Sequence, residues 1–316
     1  MVLLLIILIY DIPILYTKRT FAYKKLRGFH KLDKMACTNY CCFVSYSLFY
    51  FKGKIMDIEK VTVSEHLYVG NNYSILKFKA PIVAGVSSPG QFIHLLIPRL
   101  EGSVLRRPFS IYKVEGEFLY ILYKSVGLGT ESLRDTKVGD HLSVMGPLGN
   151  DFPVCDEGEL PVCIAGGFGV APLSFLAKKL PVKGKLFVGG AAKDDILCLD
   201  DFEELGYDIN IATVDGSMGE KGFVTKPFMS WFEENSKSCK PVIYSCGPDA
   251  MLRAVGEFAV ANGIKCYLSL DKHMGCGIGA CLACVQKVYD EDGNIVQKRV
   301  CKDGPIFPAK SIVWGN

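Results

Sequence analysis

The spacing of hydrophobic and polar positions changes along the chain, and the change separates it into regions. Between residues 58 and 149, short segments rich in β-branched and aromatic residues are separated by Gly, Pro and Asn. Only residues 131–135 resemble a helical turn. The segments are IEKVTV, YSILKFKA, QFIHLLIP, PFSIYKV, EFLYILYK and HLSVMG. Six short strands without a long helical pattern predict a small antiparallel β-barrel.

A different pattern follows the segment PLGNDFP. Apolar strand-like segments now alternate with amphipathic helical ones. The predicted strands are LPVCIAGG, GKLFVGG, DINIATV, PVIYSCG and KCYLSL, and the helices are APLSFLAKKL, DFEELG, VTKPFMSWFEEN and PDAMLRAVGEFAVANG. This alternation predicts a doubly wound α/β domain with a parallel sheet.

Four regions follow from these patterns. We expect a multi-domain protein with an N-terminal extension at residues 1–55, a β-barrel at 56–152, the α/β domain at 153–265 and a small cysteine-rich domain at 266–316. The extension begins with MVLLLIILIY, which is shorter than the roughly 20 apolar residues of a membrane span. Its basic residues follow the apolar run, unlike those of a signal peptide. We expect much of it to lie outside the folded protein, whose natural chain would begin at Met56; a membrane-surface anchor is the alternative.

Charge is distributed unevenly over the 316 residues. Residues 1–55 hold nine Lys/Arg and two Asp/Glu, whereas the remaining chain holds 27 Lys/Arg and 31 Asp/Glu. The main body is therefore mildly acidic. Such a surface offers no electrostatic basis for binding nucleic acid, and that class of function is excluded.

Four of the 13 cysteines crowd into residues 276–301, with the spacing C-x4-C-x2-C-x16-C. They are Cys276, Cys281, Cys284 and Cys301. The first three follow the plant-type [2Fe–2S] spacing. Structural zinc is the alternative, although zinc sites usually contain two short cysteine pairs and this segment has one. Thiols that hold iron must stay reduced, so we expect a cytoplasmic protein.

A glycine-rich turn follows the first strand of the α/β region. Gly166, Gly167 and Gly169 precede the helix that contains Pro172. Such a turn can hold a pyrophosphate on backbone N–H groups at the start of a helix. A tight connection without a ligand would give the same pattern.

Two more segments lie at predicted strand ends of the same region. Ligands of such sheets bind beyond the carboxyl ends of the strands, so Cys246, Gly247 and Pro248 are expected in the same crevice. Asp215 is a candidate for binding an adenosine ribose, and an acid without a nearby Arg pair favours NAD over NADP. A buried structural cysteine and a surface turn are the alternatives.

The barrel region contains a cation, an aromatic ring and a hydroxyl along one strand. They belong to Arg107, Pro108, Phe109 and Ser110. Arg107 and Phe109 are expected on one face and Ser110 on the other. The cation suits a diphosphate, the ring a stacking contact and the hydroxyl a flavin edge. A second set of candidate contacts consists of Leu122, Tyr123, Lys124, Gly129 and Thr130.

Together these motifs resemble the ferredoxin–NADP reductase superfamily. Within it, the chain is most similar to the electron-transfer subunits of bacterial class 1B dihydroorotate dehydrogenase. The matching segments, in family order, are RRPFSIY, LYKSVGLGT, GPLGNDF, GGFGVAPL, YSCGPDAML and SLDKHMGCGIGACLACV. The resemblance covers about residues 57–314. A related NADH-dependent ferredoxin reductase subunit usually carries Asp at the first cluster position, where this chain has Cys276.

The resemblance implies three cofactors and a partner. The two barrel sets would bind FAD, the α/β sets would bind NAD and the four cysteines would hold a [2Fe–2S] cluster. Flavin can exchange single electrons with a cluster and hydride with nicotinamide, so it would stand between them. An FMN-containing catalytic subunit would oxidise dihydroorotate in pyrimidine biosynthesis, in a heterotetramer of two plus two subunits, and would dock near residues 270–301.

Two other functions share some of these features. A stand-alone NAD(P)H-dependent reductase of a ferredoxin or an oxygenase would contain the same three modules. A zinc-stabilised adaptor without enzyme activity would contain none of the cofactors. No His pair or carboxylate pair has a spacing that indicates acid–base catalysis, and we therefore assign no general base.

Overall fold

Two large sheets and a short hairpin organise the part of the chain that the structure describes. The computed structural model describes residues 49–51, 54–97 and 105–315. Within these residues, no helix is both long enough and apolar enough to cross a bilayer. The predicted N-terminal extension, apart from residues 49–51 and 54–55, lies outside the described residues.

The first sheet is antiparallel and contains eight strands in the order β5-β4-β8-β2-β3-β7-β6, with β1 paired to β2. Its strands are β1 (Phe49–Phe51), β2 (Lys54–Gly70), β3 (Tyr73–Lys79), β4 (Phe92–Leu96), β5 (Arg107–Ser110), β6 (Lys113–Glu115), β7 (Phe118–Lys124) and β8 (His141–Leu148). Two short helices, α1 (Pro81–Val86) and α2 (Leu128–Arg134), lie in its connections.

This sheet curls on itself, as the predicted barrel requires. Its two outer strands, β5 and β6, are separated in the chain only by Ile111 and Tyr112. Alternating apolar side chains fill the interior, among them Leu76, Phe78 and Ile121, all fully buried. The segment PFSIYKV, predicted as one strand, forms two, because the chain turns from one edge of the sheet to the other between them.

The second sheet has the order β12-β11-β10-β9-β13-β14-β17 and is parallel except for β17. Its strands are β9 (Leu160–Gly166), β10 (Lys185–Gly190), β11 (Asp208–Thr213), β12 (Glu220–Lys221), β13 (Pro241–Cys246), β14 (Lys265–Ser269) and β17 (Ile306–Pro308). The connecting helices are α3 (Val170–Ala177), α4 (Leu199–Glu204), α5 (Thr225–Asn235) and α6 (Asp249–Ala261). These elements confirm the doubly wound α/β prediction.

The cysteine-rich region combines a loop over residues 271–284 with β15 (Val285–Tyr289), β16 (Ile295–Arg299) and the short helix α7 (Val300–Asp303). β15 and β16 form a hairpin. The chain then returns to the large sheet, where β17 pairs antiparallel with β14.

Two of the predicted domain boundaries fall within strands. The boundary between residues 265 and 266 falls inside β14, which is bonded to β13 and belongs with the α/β sheet. The boundary between residues 55 and 56 falls inside β2, because its first residues form a hairpin with β1. In both places backbone hydrogen bonds continue across the predicted limit.

Candidate functional site

The four predicted cluster cysteines lie in two pairs. The backbone N–H groups of Cys276 and Cys281 each donate to the other residue's Sγ, at 3.4 Å. In the second pair, the N–H of Cys301 donates to Cys284 Sγ at 3.4 Å, and the N–H of Val300 donates to the Cys284 carbonyl at 2.9 Å. The first pair is partly exposed at Cys276 and exposed at Cys281, whereas the second pair is buried.

This pairing fits a two-iron cluster better than a single ion. Structural zinc is surrounded by four ligands that converge on one point. A [2Fe–2S] centre with four cysteines takes two thiolates on each iron. The arrangement of Cys276 with Cys281 and of Cys284 with Cys301 therefore suits such a centre.

Backbone amides support a thiolate at the exposed pair. Burial opposes the ionisation of Cys276, but N–H donors from Ile278, Cys281 and Ala280 outweigh it and lower the pKa of its thiol to about 7. The N–H of Ala280 lies 3.2 Å from Cys276 Sγ. At Cys301, burial and the adjacent Cys284 side chain raise the pKa to about 12. Cys276, in the more exposed pair, therefore ionises more readily than the buried Cys301.

Glycine allows the cysteine loop to lie against the barrel. Gly277 has a φ of +72°, and a Cβ at this position would come within 2.7–2.9 Å of the His94 ring on β4. A second contact lies nearby, where the Asn150 N–H donates to the Gly304 carbonyl at 2.7 Å. The cysteine-rich region therefore packs directly on the first domain.

The glycine-rich turn and the second predicted nucleotide segment touch at the carboxyl ends of β9 and β13. A Cβ on Gly169 would lie 2.2 Å from the Cys246 carbonyl oxygen, and one on Gly166 would lie 2.7 Å from Pro248 Cδ. Gly247 approaches the backbone of Gly166 just as closely. β9 and β13 flank the point where the chain reverses its direction across the sheet, which is where such folds bind ligands. The structure therefore brings these residues together.

The other predicted nucleotide residues occupy different positions around this crevice. Gly167, with a φ of +52°, forms the turn itself, and Pro172 is buried in α3. Asp215 is exposed beyond β11, two strands from β9, and accepts hydrogen bonds from the N–H and hydroxyl of Ser217 at 2.9 and 2.6 Å. These two bonds lower its pKa. Burial raises the pKa of the Cys246 thiol to about 12, so that side chain is neutral.

The predicted flavin strand is β5, at one edge of the barrel sheet. Phe109 is buried and packs edge-to-face on Tyr123 with ring centroids 6.0 Å apart. Arg107, Pro108 and Ser110 are partly exposed. The phenylalanine ring is thus part of the barrel core, and the cation and the hydroxyl border the surface.

The second predicted flavin set is divided between the core and the domain boundary. Leu122 and Tyr123 are buried, and the Tyr123 hydroxyl lies 2.9 Å from His66 Nε2. Lys124 Nζ lies 3.1 Å from Asp195 Oδ1 of the α/β domain. Gly129 and Thr130 lie in α2, with Gly129 partly buried.

The Thr130 hydroxyl is engaged within its own loop. It accepts from the N–H groups of Val126 and Gly127 at 2.9 and 3.3 Å, and it donates to the Gly127 carbonyl. The threonine therefore shapes the loop that joins the two parts of the second predicted flavin set.

Sequence reasoning missed an acidic residue at the domain boundary. Asp195 Oδ1 accepts from the hydroxyl of Tyr73 at 2.8 Å and from Asn71 Nδ2 at 2.9 Å, besides pairing with Lys124. Its barrel partners lie 71 to 124 positions away in the chain, so no local spacing could have indicated it.

Comparison with known proteins identifies the family. A family model described as the iron–sulfur cluster binding domain of dihydroorotate dehydrogenase B matches residues 271–313. A second, the oxidoreductase NAD-binding domain, matches residues 163–257. A relative from Bacillus cereus, the electron transfer subunit of dihydroorotate dehydrogenase B (NAD(+)), is 38% identical over 267 residues, or 82% of this chain and 100% of the relative. The chain belongs to this family of electron transfer subunits.

Further relatives agree with this assignment. A subunit of the same description from Bacillus anthracis is 37% identical over the same shares of both chains. A solved structure of an NADH-dependent reduced ferredoxin–NADP oxidoreductase has a TM-score of 0.70 and 26% identity, covering 80% of this chain and 90% of that one. The ferredoxin reductase of carbazole 1,9a-dioxygenase shares the fold, with a TM-score of 0.58, 22% identity and coverage of 66% and 67%. The predicted family and fold class are confirmed.

Proposed function

We propose that this protein carries electrons from a dihydroorotate-oxidising partner subunit to NAD+, by way of a [2Fe–2S] cluster and FAD. The family assignment supports this proposal, since the relatives are described as NAD(+)-linked electron transfer subunits. The cluster supplies one-electron transfer, and the flavin joins it to the two-electron chemistry of nicotinamide. Residues of this chain bind, orient and shield these groups.

The observation that carries the proposal is the contact between the cysteine loop and the flavin strands. Gly277, next to Cys276, lies against His94 on β4. His94 is the register partner of Pro108 on β5, inside the predicted flavin motif. One residue on a rigid strand thus separates the cluster loop from the flavin strand, which suits electron transfer between groups held by both.

The nucleotide site is close to the same barrel. The Tyr73 hydroxyl lies 3.5 Å from the position that a Cβ on Gly167 would take. The residues proposed to hold FAD are Arg107, Pro108, Phe109, Ser110, Leu122, Tyr123, Lys124, Gly129 and Thr130. Those proposed to hold NAD are Gly166, Gly167, Gly169, Pro172, Asp215, Cys246, Gly247 and Pro248. The protein contributes no general base, consistent with a reaction that consists of electron and hydride transfer.

The exposed side of the cysteine loop is the proposed docking surface for the partner. Ile278 and Leu282 are 37% and 61% exposed, and Cys281 between them is exposed. Apolar side chains beside a redox centre suit a partner that must approach it closely. The partner is proposed to carry FMN and to form a heterotetramer of two plus two subunits, in the cytoplasm, where the cluster thiols stay reduced.

An absorption spectrum of anaerobically purified protein tests the cofactor content. Flavin and iron–sulfur bands are expected together, with two iron and two sulfide per chain. Cys281→Ser is expected to remove the iron–sulfur bands and keep the flavin bands. Cys239→Ser, outside the loop, is the matched control and is expected to keep both. Zinc in place of iron, or a spectrum without either set of bands, would refute the redox function.

Co-purification separates the proposed subunit from a stand-alone reductase. A dihydroorotate-oxidising protein is expected to purify with the chain in equal amounts, and NADH formation from dihydroorotate is expected only from the complex. If the isolated chain oxidises dihydroorotate, the division of labour is wrong. If it turns over a ferredoxin or an oxygenase with NADH and binds no such partner, it is a stand-alone reductase.

A further inference from the structure

His94 is a buried polar residue on the outer face of the barrel, on the opposite side of β4 from the barrel-core residues Ile93 and Leu95. It lies on β4 and is 0% exposed, between Phe92, whose ring centroid is 5.7 Å away, and the cysteine loop. Its surroundings on that face are apolar: Phe92, Met145 and Leu148, on β4 and the paired strand β8, belong to the hydrophobic cluster that also contains Cys284 and Cys301. A leucine or phenylalanine would suit such a position at no cost in unpaired polar atoms.

Neither ring nitrogen of His94 has a hydrogen-bond partner among the described residues. A buried polar group that remains unpaired destabilises a fold, and nearly all such groups in proteins are paired. An acceptor that the polypeptide itself does not supply would account for a histidine here.

The position of the ring beneath the cysteine loop indicates where the acceptor lies. The three ring atoms nearest the Cβ position of Gly277 are Cε1 at 2.7 Å, Nδ1 at 2.8 Å and Nε2 at 2.9 Å, so Gly277 lies over the face of the ring, on the side that carries both nitrogens. Gly277 directly follows Cys276 and is buried. The absence of a side chain at Gly277 lets the loop lie flat on the ring, which places both ring nitrogens beside the residue that follows a cluster cysteine.

The imidazole is neutral in this environment. Burial, followed by the positive charges of Arg106 and Arg107, lowers the pKa of His94 to about 4. A neutral imidazole keeps one N–H, and therefore one hydrogen bond to donate. The ring can offer that bond without introducing a buried positive charge.

We propose that His94 sets the potential of the iron–sulfur centre by donating a hydrogen bond to one of its sulfur atoms, on the side that faces the flavin strands. This inference rests on the cluster of the proposed function. Reduction adds a negative charge to the centre, and a donor stabilises the more negative state. Hydrogen bonds to the sulfurs are among the factors that set such potentials.

The test is a redox titration of the cluster in the full chain with flavin and cluster bound, followed by electron paramagnetic resonance. His94→Phe removes the donor and keeps a ring. It is expected to lower the equilibrium constant for cluster reduction about tenfold, a shift of about 59 mV to more negative potential for one electron. His94→Gln retains an N–H donor and is expected to recover most of the shift. The flavin potential is expected to stay unchanged.

Phe92→Leu is the matched control, because it changes packing beside the His94 ring and removes no donor. It is expected to leave the cluster potential close to that of the wild type. An equal shift in Phe92→Leu, an unchanged cluster potential in His94→Phe, or a shift confined to the flavin would each overturn the proposal. Loss of iron from the wild-type protein would instead refute the cluster itself.

A direct measurement covers the case in which His94→Phe does not hold iron. With 15N-labelled histidine, pulsed resonance of the reduced wild-type cluster is expected to show one weakly coupled histidine nitrogen, and His94→Gln is expected to lose it. The chain has five histidines, so one substitution assigns the signal. No coupled nitrogen in the wild type would rule out the hydrogen bond.

Discussion

Lys124 and Asp195 connect the barrel to the nucleotide-binding sheet. Asp195 is 7% exposed and pairs with Lys124 at 3.1 Å, and Tyr73 donates to the same oxygen at 2.8 Å. Burial would raise the pKa of Asp195, but the donors Tyr73 and Lys124 outweigh it and lower that pKa. The residue is thus held as a carboxylate between two domains. Lys124 was predicted from the sequence as a flavin contact, and the ion pair gives it a second role.

Substitutions of Lys124 and Asp195 distinguish the flavin contact of the lysine from its contact with the α/β domain. Asp195→Asn is expected to lower the free energy of unfolding by about 1–3 kcal/mol at pH 7, because Lys124 and Tyr73 lose a charged acceptor. The double variant Asp195→Asn/Lys124→Met should lose less free energy of unfolding than the two single variants lose together. Urea unfolding of the three variants measures this. A loss of flavin affinity in Lys124→Met alone, with Asp195→Asn unaffected, would mean that the lysine serves the cofactor and not the domain contact.

The pH dependence of this contact has a definite sign. The pKa of Asp195 is lower in the folded protein, so its stabilisation is complete above the unfolded value of about 3.9 and is lost as pH falls through the folded value. The difference in stability between wild type and Asp195→Asn should therefore be constant near neutrality and shrink in acid.

Single residues differ in how far the sequence predicts their role. Cys276, Cys281 and Cys284 have a local spacing that indicates their chemistry without any knowledge of the fold. Asp195 and His94 have no such signal, because their meaning comes from contacts with Lys124 and Gly277, far away in the chain. The sequence accordingly predicts the ligands of the cluster, and only the structure indicates the residues that surround it.

Among the elements, the turn after β9 depends on Gly169. A Cβ there would lie 2.2 Å from the carbonyl oxygen of Cys246, so any side chain must push the two nucleotide turns apart. Gly169→Ala is therefore expected to raise the KM for NADH at least about tenfold, or about 1.4 kcal/mol, while flavin and iron contents stay normal. The KM is measured from the rate of flavin reduction by NADH in stopped-flow experiments.

Gly85→Ala is the control for this substitution. Gly85 lies in α1, and a Cβ there would meet no atom within 4 Å. It is expected to leave the KM for NADH unchanged. An unaltered KM in Gly169→Ala would show that the crevice between the turns is not where the nucleotide binds.

The elements that the sequence did not predict are stabilised by distant groups. Helix α1 has six residues, and its first N–H groups are bound by the Glu59 carboxylate, with Ile82 at 3.3 Å and Val83 at 3.0 Å. Strand β17 has three residues and exists through its pairing with β14. In contrast, the long α/β elements were predictable, because their apolar periodicity is visible within each segment.

The order of domains along the whole chain differs from their arrangement in space. The cysteine loop follows the nucleotide domain in sequence, yet Gly277 contacts β4 of the barrel and β17 joins the α/β sheet. The C-terminal region therefore contacts both other domains. The barrel contacts the cluster loop at His94 and the glycine-rich turn at Tyr73, so a flavin held by the barrel would neighbour both.

Removal of the cluster should stop electron delivery from the partner but should not stop flavin reduction by NADH. Loop 271–284 contributes no residue to the contact between Gly169 and Cys246, so chelation of the iron is expected to leave flavin reduction by NADH within about twofold of the holoprotein. Electron delivery from the partner should fall at least about tenfold, because the thiolates then hold no redox centre. Stopped-flow flavin reduction, with NADH or with partner plus dihydroorotate, measures both. Equal loss of the two rates would mean that the cluster domain supports the nucleotide site, and retention of both would place the entry of electrons elsewhere on the protein.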